Sequence, residues 1–285
     1  MNPFPTTKEF KLRARQHMAG AFGACTVAAF LLVLAGLLLT ELLKRSGGAI
    51  SLYYWPTDTT DIQSSLSLSA EGLFAALRVE EAGMGISVAV TPVMLGKVLG
   101  MQLLCALLVA PLRLGCFEQL WAVRRKEPKP TLSLFSAYAD IRRGGQAILL
   151  EVLLTAIQLI LQLIAFVPAL LLLQAMGPTL EGVTAAGWTM MLGMVVVWCL
   201  MTPFLPARWL LSRDSAATAF GALKAGFALL RGAGGRFLRF RLSFVILELC
   251  SVFTNGIFDI YLFPYQGLAA MEWLEAREEE LRVTV

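Results

Sequence analysis

The feature that most constrains this chain is a series of apolar runs, several of them opening or closing on arginine. The last run shows the pattern in one place. Arg231, Arg236, Arg239 and Arg241 crowd against Leu242-Ser243-Phe244-Val245-Ile246-Leu247, and the run continues apolar to Phe263 except for Glu248, Asn255 and Asp259. Basic residues set against about 20 apolar residues mark the cytoplasmic mouth of a transmembrane helix. Composition agrees: 57% of residues are apolar, 15% are charged and the mean hydropathy is +0.69. Soluble domains sit near 45–50% apolar and about 25% charged. A water-soluble chain of 285 residues has no means of hiding that much apolar surface, so lipid is part of its solvent. The expected fold is all-α: a polytopic transmembrane helix bundle of about five spans with interfacial amphipathic helices, one integral membrane domain over 1–285.

The net charge of +4 is no argument for nucleic acid, because in a membrane protein the side on which charges lie is what matters. Cys25, Cys105, Cys116, Cys199 and Cys250 all fall in apolar runs, without a C-x-x-C, and His17 is the single histidine. Buried free thiols are the expectation, with no metal site and no cofactor.

In chain order, residues 1–17 form a basic, cytoplasmic N-terminus carrying Lys8, Lys11, Arg13 and Arg15. The following run, Met18 to Leu43, is longer than a signal-peptide core and lacks an A-x-A site before Lys44-Arg45, so it reads as an uncleaved first span. Residues 44–87 form the one sizeable outer loop, with Tyr53-Tyr54-Trp55-Pro56 as an interfacial anchor and an amphipathic helix over 70–82 that presents Leu73, Phe74 and Leu77. The second span starts near Val88, holds Lys97 inside a G-x-x-x-G, and kinks at Pro111 before emerging toward Trp121. The third covers Ala147 to Gln174, with a break or bend at Pro168, and the fourth covers Gly187 to Leu211. The fifth is the run described above, which Pro264 ends or kinks, leaving 266–285 as a helical acidic tail.

Of the 24 lysines and arginines, 18 fall in the segments an inside N-terminus places inside, five outside and one, Lys97, within the membrane. That asymmetry predicts an N-inside, C-outside thread for five spans; if the segment from Pro264 to Glu280 turns back, the C-terminus is inside instead. A weak internal symmetry accompanies it. Pro111-x-Arg113 and Pro206-x-Arg208 each end an inward helix, each is followed by an Arg-Gly-Gly-type break, and each leads to an outgoing helix with one glutamate, Glu151 or Glu248.

The stretch Ala222-Leu223-Lys224-Ala225-Gly226-Phe227-Ala228-Leu229-Leu230-Arg231-Gly232, then Arg236-Phe237-Leu238, Leu242-Ser243-Phe244 and Pro264-Tyr265, resembles a family of uncharacterised bacterial integral membrane proteins, the domain of unknown function numbered nine-seven-five. Arg13 and Arg15 before the first span, and the Gly115-to-Arg125 turn, extend the resemblance over most of the chain. Glu272-Trp273 stands where that family has an aromatic pair. The resemblance implies a bacterial cytoplasmic membrane location and no particular activity.

Lys97, Glu151 and Glu248 are candidate functional residues because an ionisable group in an apolar span costs on the order of 3 kcal/mol. The alternative is that Lys97 and Glu151 snorkel near helix ends and that Glu248 pairs with Arg239 or Arg241. Gln158 and Gln162 lie one turn apart and suit interhelical hydrogen bonding or a polar path. Arg231, Arg236, Arg239 and Arg241 form an interfacial basic group that suits anionic lipid. With no phosphate loop, nucleophile elbow or H-E-x-x-H, the expectation is not an enzyme but a membrane scaffold or assembly partner. A permease-like transporter of a small solute or lipid is the alternative.

Overall fold

Short polar residues set the helix starts, as their side chains satisfy the free amides of a first turn. Thr6 and Glu9 form a reciprocal capping box that opens α1 (Thr7–Gly20). The computed structural model describes residues 4–43, 50–52, 66–68, 77–82, 85–90, 92–127, 129–176, 180–254 and 257–283. After α1 come α2 (Phe22–Leu43), four strands β1 (Ile50–Leu52), β2 (Leu66–Leu68), β3 (Leu77–Ala82) and β4 (Gly85–Val90), then α3 (Pro92–Arg124) and a 3-10 turn over Thr131–Phe135. The remainder is α4 (Ser136–Ala139), α5 (Ile141–Met176), α6 (Leu180–Met201), a 3-10 turn over Thr202–Phe204, α7 (Pro206–Arg213), α8 (Ala219–Leu230), α9 (Gly234–Leu242), α10 (Val245–Phe253) and α11 (Asp259–Val283). Asp140 caps α5 by accepting the amides of Arg142 and Arg143 at 3.0 and 3.2 Å. Thr218 caps α8 through the amide of Gly221.

The chain forms two compact units. The first gathers Met1–Gly36, Leu107–Glu151 and Met201–Val285; the second gathers Leu37–Ala106 and Val152–Leu200. In the first, α11 is the core: Leu268, Ala269, Ala270, Met271, Trp273 and Leu274 are almost completely buried. α1 lies along it through Phe10, Ala14 and Met18. Phe237 and Phe240 of α9, Phe244, and Tyr265 complete an aromatic cluster around Trp273. α8 buries a small-residue face, Ala219, Ala222 and Gly226, with Gly226 close enough to Pro206 and Ala207 that a Cβ would touch Ala207 N at 3.3 Å.

In the second unit, α5 and α6 turn apolar side chains outward: Ile164, Val167 and Leu171, and Trp188, Met191, Leu192 and Val195, are exposed. They approach at Gly193, where an added Cβ would meet the Ala165 carbonyl at 2.9 Å. Helices apolar on their outer face are suited to lipid, not water. Residues 50–52 pair antiparallel with 66–68, and 77–82 with 85–90.

Several expectations change. Residues 77–82 are a strand, not the end of an amphipathic helix over 70–82, of which 70–76 lie outside the described residues. The second span begins at Pro92 rather than near Val88, which is in β4, and both Pro111 and Pro168 sit inside continuous helices. The first span does not run on from the basic N-terminus, because α1 and α2 are bent by 97° at a break between them. The fifth span is broken: α10 has nine residues, and α11 begins only at Asp259 and runs through Pro264. Pro264 falls close enough to the start of α11 that little of the helix is lost to its missing amide. Among the described residues two helices, Ile141–Met176 and Thr184–Arg213, are long and apolar enough to cross a membrane, or three if the bent α1–α2 pair counts as one. The acidic tail is not peripheral, since α11 packs on α1 and is buried in the first unit.

Candidate functional site

The buried carboxylates of the first unit are its most informative chemistry. An isolated charge cannot be buried without a partner, and each of these has more than one. Glu151 accepts from Arg113 Nη1 and from Arg208 Nη2, both at 2.8 Å, while Arg208 Nε lies 2.8 Å from its other oxygen without a hydrogen bond. The two Pro-x-Arg elements noted in the sequence therefore converge on one carboxylate. Glu248, the other glutamate of that pattern, is half-buried and accepts from Gln266 Nε2 at 2.9 Å. Arg241 donates to Thr202 Oγ1 at 3.0 Å.

A second group surrounds Glu118, buried on α3. Arg143 Nη2 lies 2.7 Å from one carboxylate oxygen, and Lys129 Nζ lies 3.9 Å from the other. Gly144, next to Arg143, lets α5 approach so closely that a Cβ there would meet the Ala137 carbonyl at 2.5 Å.

The third and largest group is on α11. Glu272 meets Arg124 Nε at 2.6 Å, His17 Nε2 at 3.3 Å and Arg13 Nη1 at 3.6 Å, tying α1 and the end of α3 to the core helix. Arg124 also pairs with Glu275. Burial pushes the Glu275 carboxyl above its usual range despite Arg124, and Glu272 beside it adds to the rise. Arg277, buried, donates to the carbonyls of Leu229 at 3.2 Å and Arg231 at 2.9 Å. It thus satisfies free carbonyls at the end of α8, where a cation also complements the helix dipole. Glu280 accepts Arg277 at 2.5 Å and a two-pronged contact from Arg236 at 3.0 Å each. The Arg236 hydrogen bonds, with help from Arg277, hold the Glu280 carboxyl below its usual range.

Of the basic residues read as interfacial, Arg236 is thus committed to α11, while Arg231 and Arg239 are exposed. Gln162 is buried on α5 with its amide oxygen unpartnered among the described residues, and Gln158 is half-buried. Lys97 lies on α3 at a position whose side chain is outside the described residues. Glu118 and Glu272 escaped the sequence reading. The available signal was their placement: Glu118 interrupts an apolar stretch from Leu114 to Val123, and Glu272 interrupts one from Leu268 to Leu274. Among the described residues no three His, Cys, Asp or Glu side chains are grouped to hold a metal ion. No protein family's sequence pattern matches the chain, and neither the curated proteins nor the solved structures contain a match to it.

Proposed function

We propose that the protein is a multi-pass membrane protein that acts as a scaffold or assembly partner without enzymatic activity, seated in a bacterial cytoplasmic membrane and related to the family its sequence resembles. The observation that carries this reading is the way the first unit spends its interior charges. Glu118, Glu151 and Glu272 are each neutralised by two or more cations, which favours a rigid body over a chemically active cleft. With α11 on the side of α1, Arg277 and Arg282 join the basic residues assigned inside, and the lysine and arginine asymmetry grows. The first unit then lies on the cytoplasmic side, where Phe220, Lys224 and Phe227 of α8 and Arg239 of α9 form its exposed aromatic and basic surface, suited to anionic lipid and to a membrane-protein partner.

Gln162 supports the alternative, a permease-like transporter, because a buried amide without a partner is what a polar path through a bundle would present. Mild-detergent purification followed by cross-linking separates the two. A scaffold yields a partner at fixed stoichiometry that is lost on F220A/F227A while the melting temperature holds. Solute uptake into proteoliposomes that Q162L abolishes, with no such partner, would favour the transporter.

A further inference from the structure

Three apolar runs end on a charge at the same place. Passing along α3 from Val98, the first ionisable residue is Arg113; passing back along α5 from Met176, it is Glu151; passing along α6 from Thr184, it is Arg208. A charge at the end of an apolar run marks the depth at which hydrocarbon gives way to headgroups. Arg113 and Arg208 each lie 2.8 Å from Glu151, so on the membrane reading the three mark that depth at one point in the first unit.

The point is not electrically balanced. Two guanidiniums face one carboxylate, and the neighbouring Glu118 likewise meets two cations, Arg143 and Lys129. Access is unequal as well: the Glu151 side chain is 11% exposed, while those of Arg113 and Arg208 are 30% and 25% exposed. A guanidinium has five N–H donors in a fixed fork. Glu151 takes Nη1 of Arg113 and Nη2 of Arg208, which leaves donors on both arginines, the buried Nε of Arg208 among them, uncommitted to it. A surplus positive charge, open to its surroundings and offering forked donors at headgroup depth, matches a phosphate group in charge, geometry and position.

We propose that Arg113 and Arg208, held in place by Glu151, form a seat for a phosphate group, supplied by the headgroup of an anionic phospholipid. Glu151 is a positioning residue that also limits the affinity, because its charge opposes the ligand's. The inference rests on the membrane reading above and adds to it a defined lipid contact.

The test is native mass spectrometry of the full chain, delipidated in mild detergent and titrated with phosphatidylglycerol or phosphatidylcholine, together with flotation of the same protein on vesicles of the two lipids. Wild type should retain phosphatidylglycerol at least fivefold better. R113Q and R208Q should each lose most of that preference, R208K should fall between because it keeps the charge and loses the fork, and K126Q, exposed in the turn after α3, should change it less than twofold. E151Q is the decisive variant: removing the opposing charge should tighten phosphatidylglycerol severalfold, whereas a purely structural carboxylate would give looser folding and no tightening. Displacement by millimolar inorganic phosphate would keep the seat but assign it to soluble phosphate. Equal retention of both lipids by wild type, R113Q and R208Q, with flotation intact, would overturn the seat and leave the membrane reading standing. Loss of flotation by wild type would remove the reading beneath it.

Discussion

Glu272 is 5% exposed and meets two arginines and the ring of His17, which ties it to both α1 and α3. Removing one member of a buried ion pair leaves the others desolvated and unmatched, at about 3–5 kcal/mol, whereas an exposed pair is worth about 1 kcal/mol or less. E272Q keeps the shape of the side chain and one acceptor but removes the charge that Arg13, His17 and Arg124 share. The expected result is a melting temperature in detergent well below wild type, and a drop much larger than for E127Q, which alters an exposed turn residue. Equal melting of the two variants would show that the cluster is solvated in solution. Sequence reasoning found Glu151 and Glu248 because each stands alone in a long apolar run. It passed over Glu272 because Glu275 and Glu278-Glu279-Glu280 follow closely, and a dense acidic stretch reads as a solvated surface. Partners 148 residues away, as Arg124 is from Glu272, leave no mark in local composition.

At the scale of the element, α11 carries two carboxylates whose acid-base behaviour has opposite sign. Glu280 is held below the usual range by Arg236, so its contribution is present above the ordinary glutamate pKa and is lost as pH falls through its depressed value. Glu275 is raised by burial, so its protonated form stabilises the fold at acid pH, and that contribution is lost as pH rises through its raised value. The difference in melting temperature between wild type and E280Q should therefore be greatest near neutrality, begin to shrink as pH falls to the ordinary glutamate range and vanish below the depressed value. E275Q should instead gain on wild type as pH rises above the ordinary glutamate range. Parallel pH profiles for the two variants would contradict the arrangement around α11. The same helix shows why elements were legible to different degrees. α5 and α6 follow from length and apolarity alone, since lipid asks nothing more of them. α11 mixes Glu272 and Arg277 with Trp273 and Leu274, and only tertiary partners tell such a helix from a surface tail. The break between α1 and α2 likewise sits inside an apolar run, where hydropathy gives no sign of a turn, whereas Asn255, Gly256 and Asp259 mark the one between α10 and α11.

At the scale of the whole molecule, α1 packs on α11, and we propose that this contact holds the two helices on one side of the bilayer. In a background free of native cysteines, K8C and R282C should respond alike to an impermeant thiol reagent in intact cells, and E181C should respond oppositely. Differential labelling at positions 8 and 282 would break the pairing of the two ends. What sequence conveyed at this scale was the solvent and the bias of basic residues. The division into two compact units depends on which stretches meet, and the first unit draws on three separate parts of the chain.

The central position of α11 also bears on biosynthesis. Of the helices described, it is the last to leave the ribosome, yet α1, α8 and α9 all rest on its buried face. Until Leu268 to Arg277 emerge, Phe10, Phe237 and Phe240 have no Trp273 to close over, and Arg13 and Arg124 have no Glu272. A nascent chain that lacks α11 therefore carries an open apolar cleft in its first unit, a state that chaperones and proteases recognise. A chain interrupted before α11 would keep α5 and α6, the long apolar helices, and should still be cleared faster than one that carries α11.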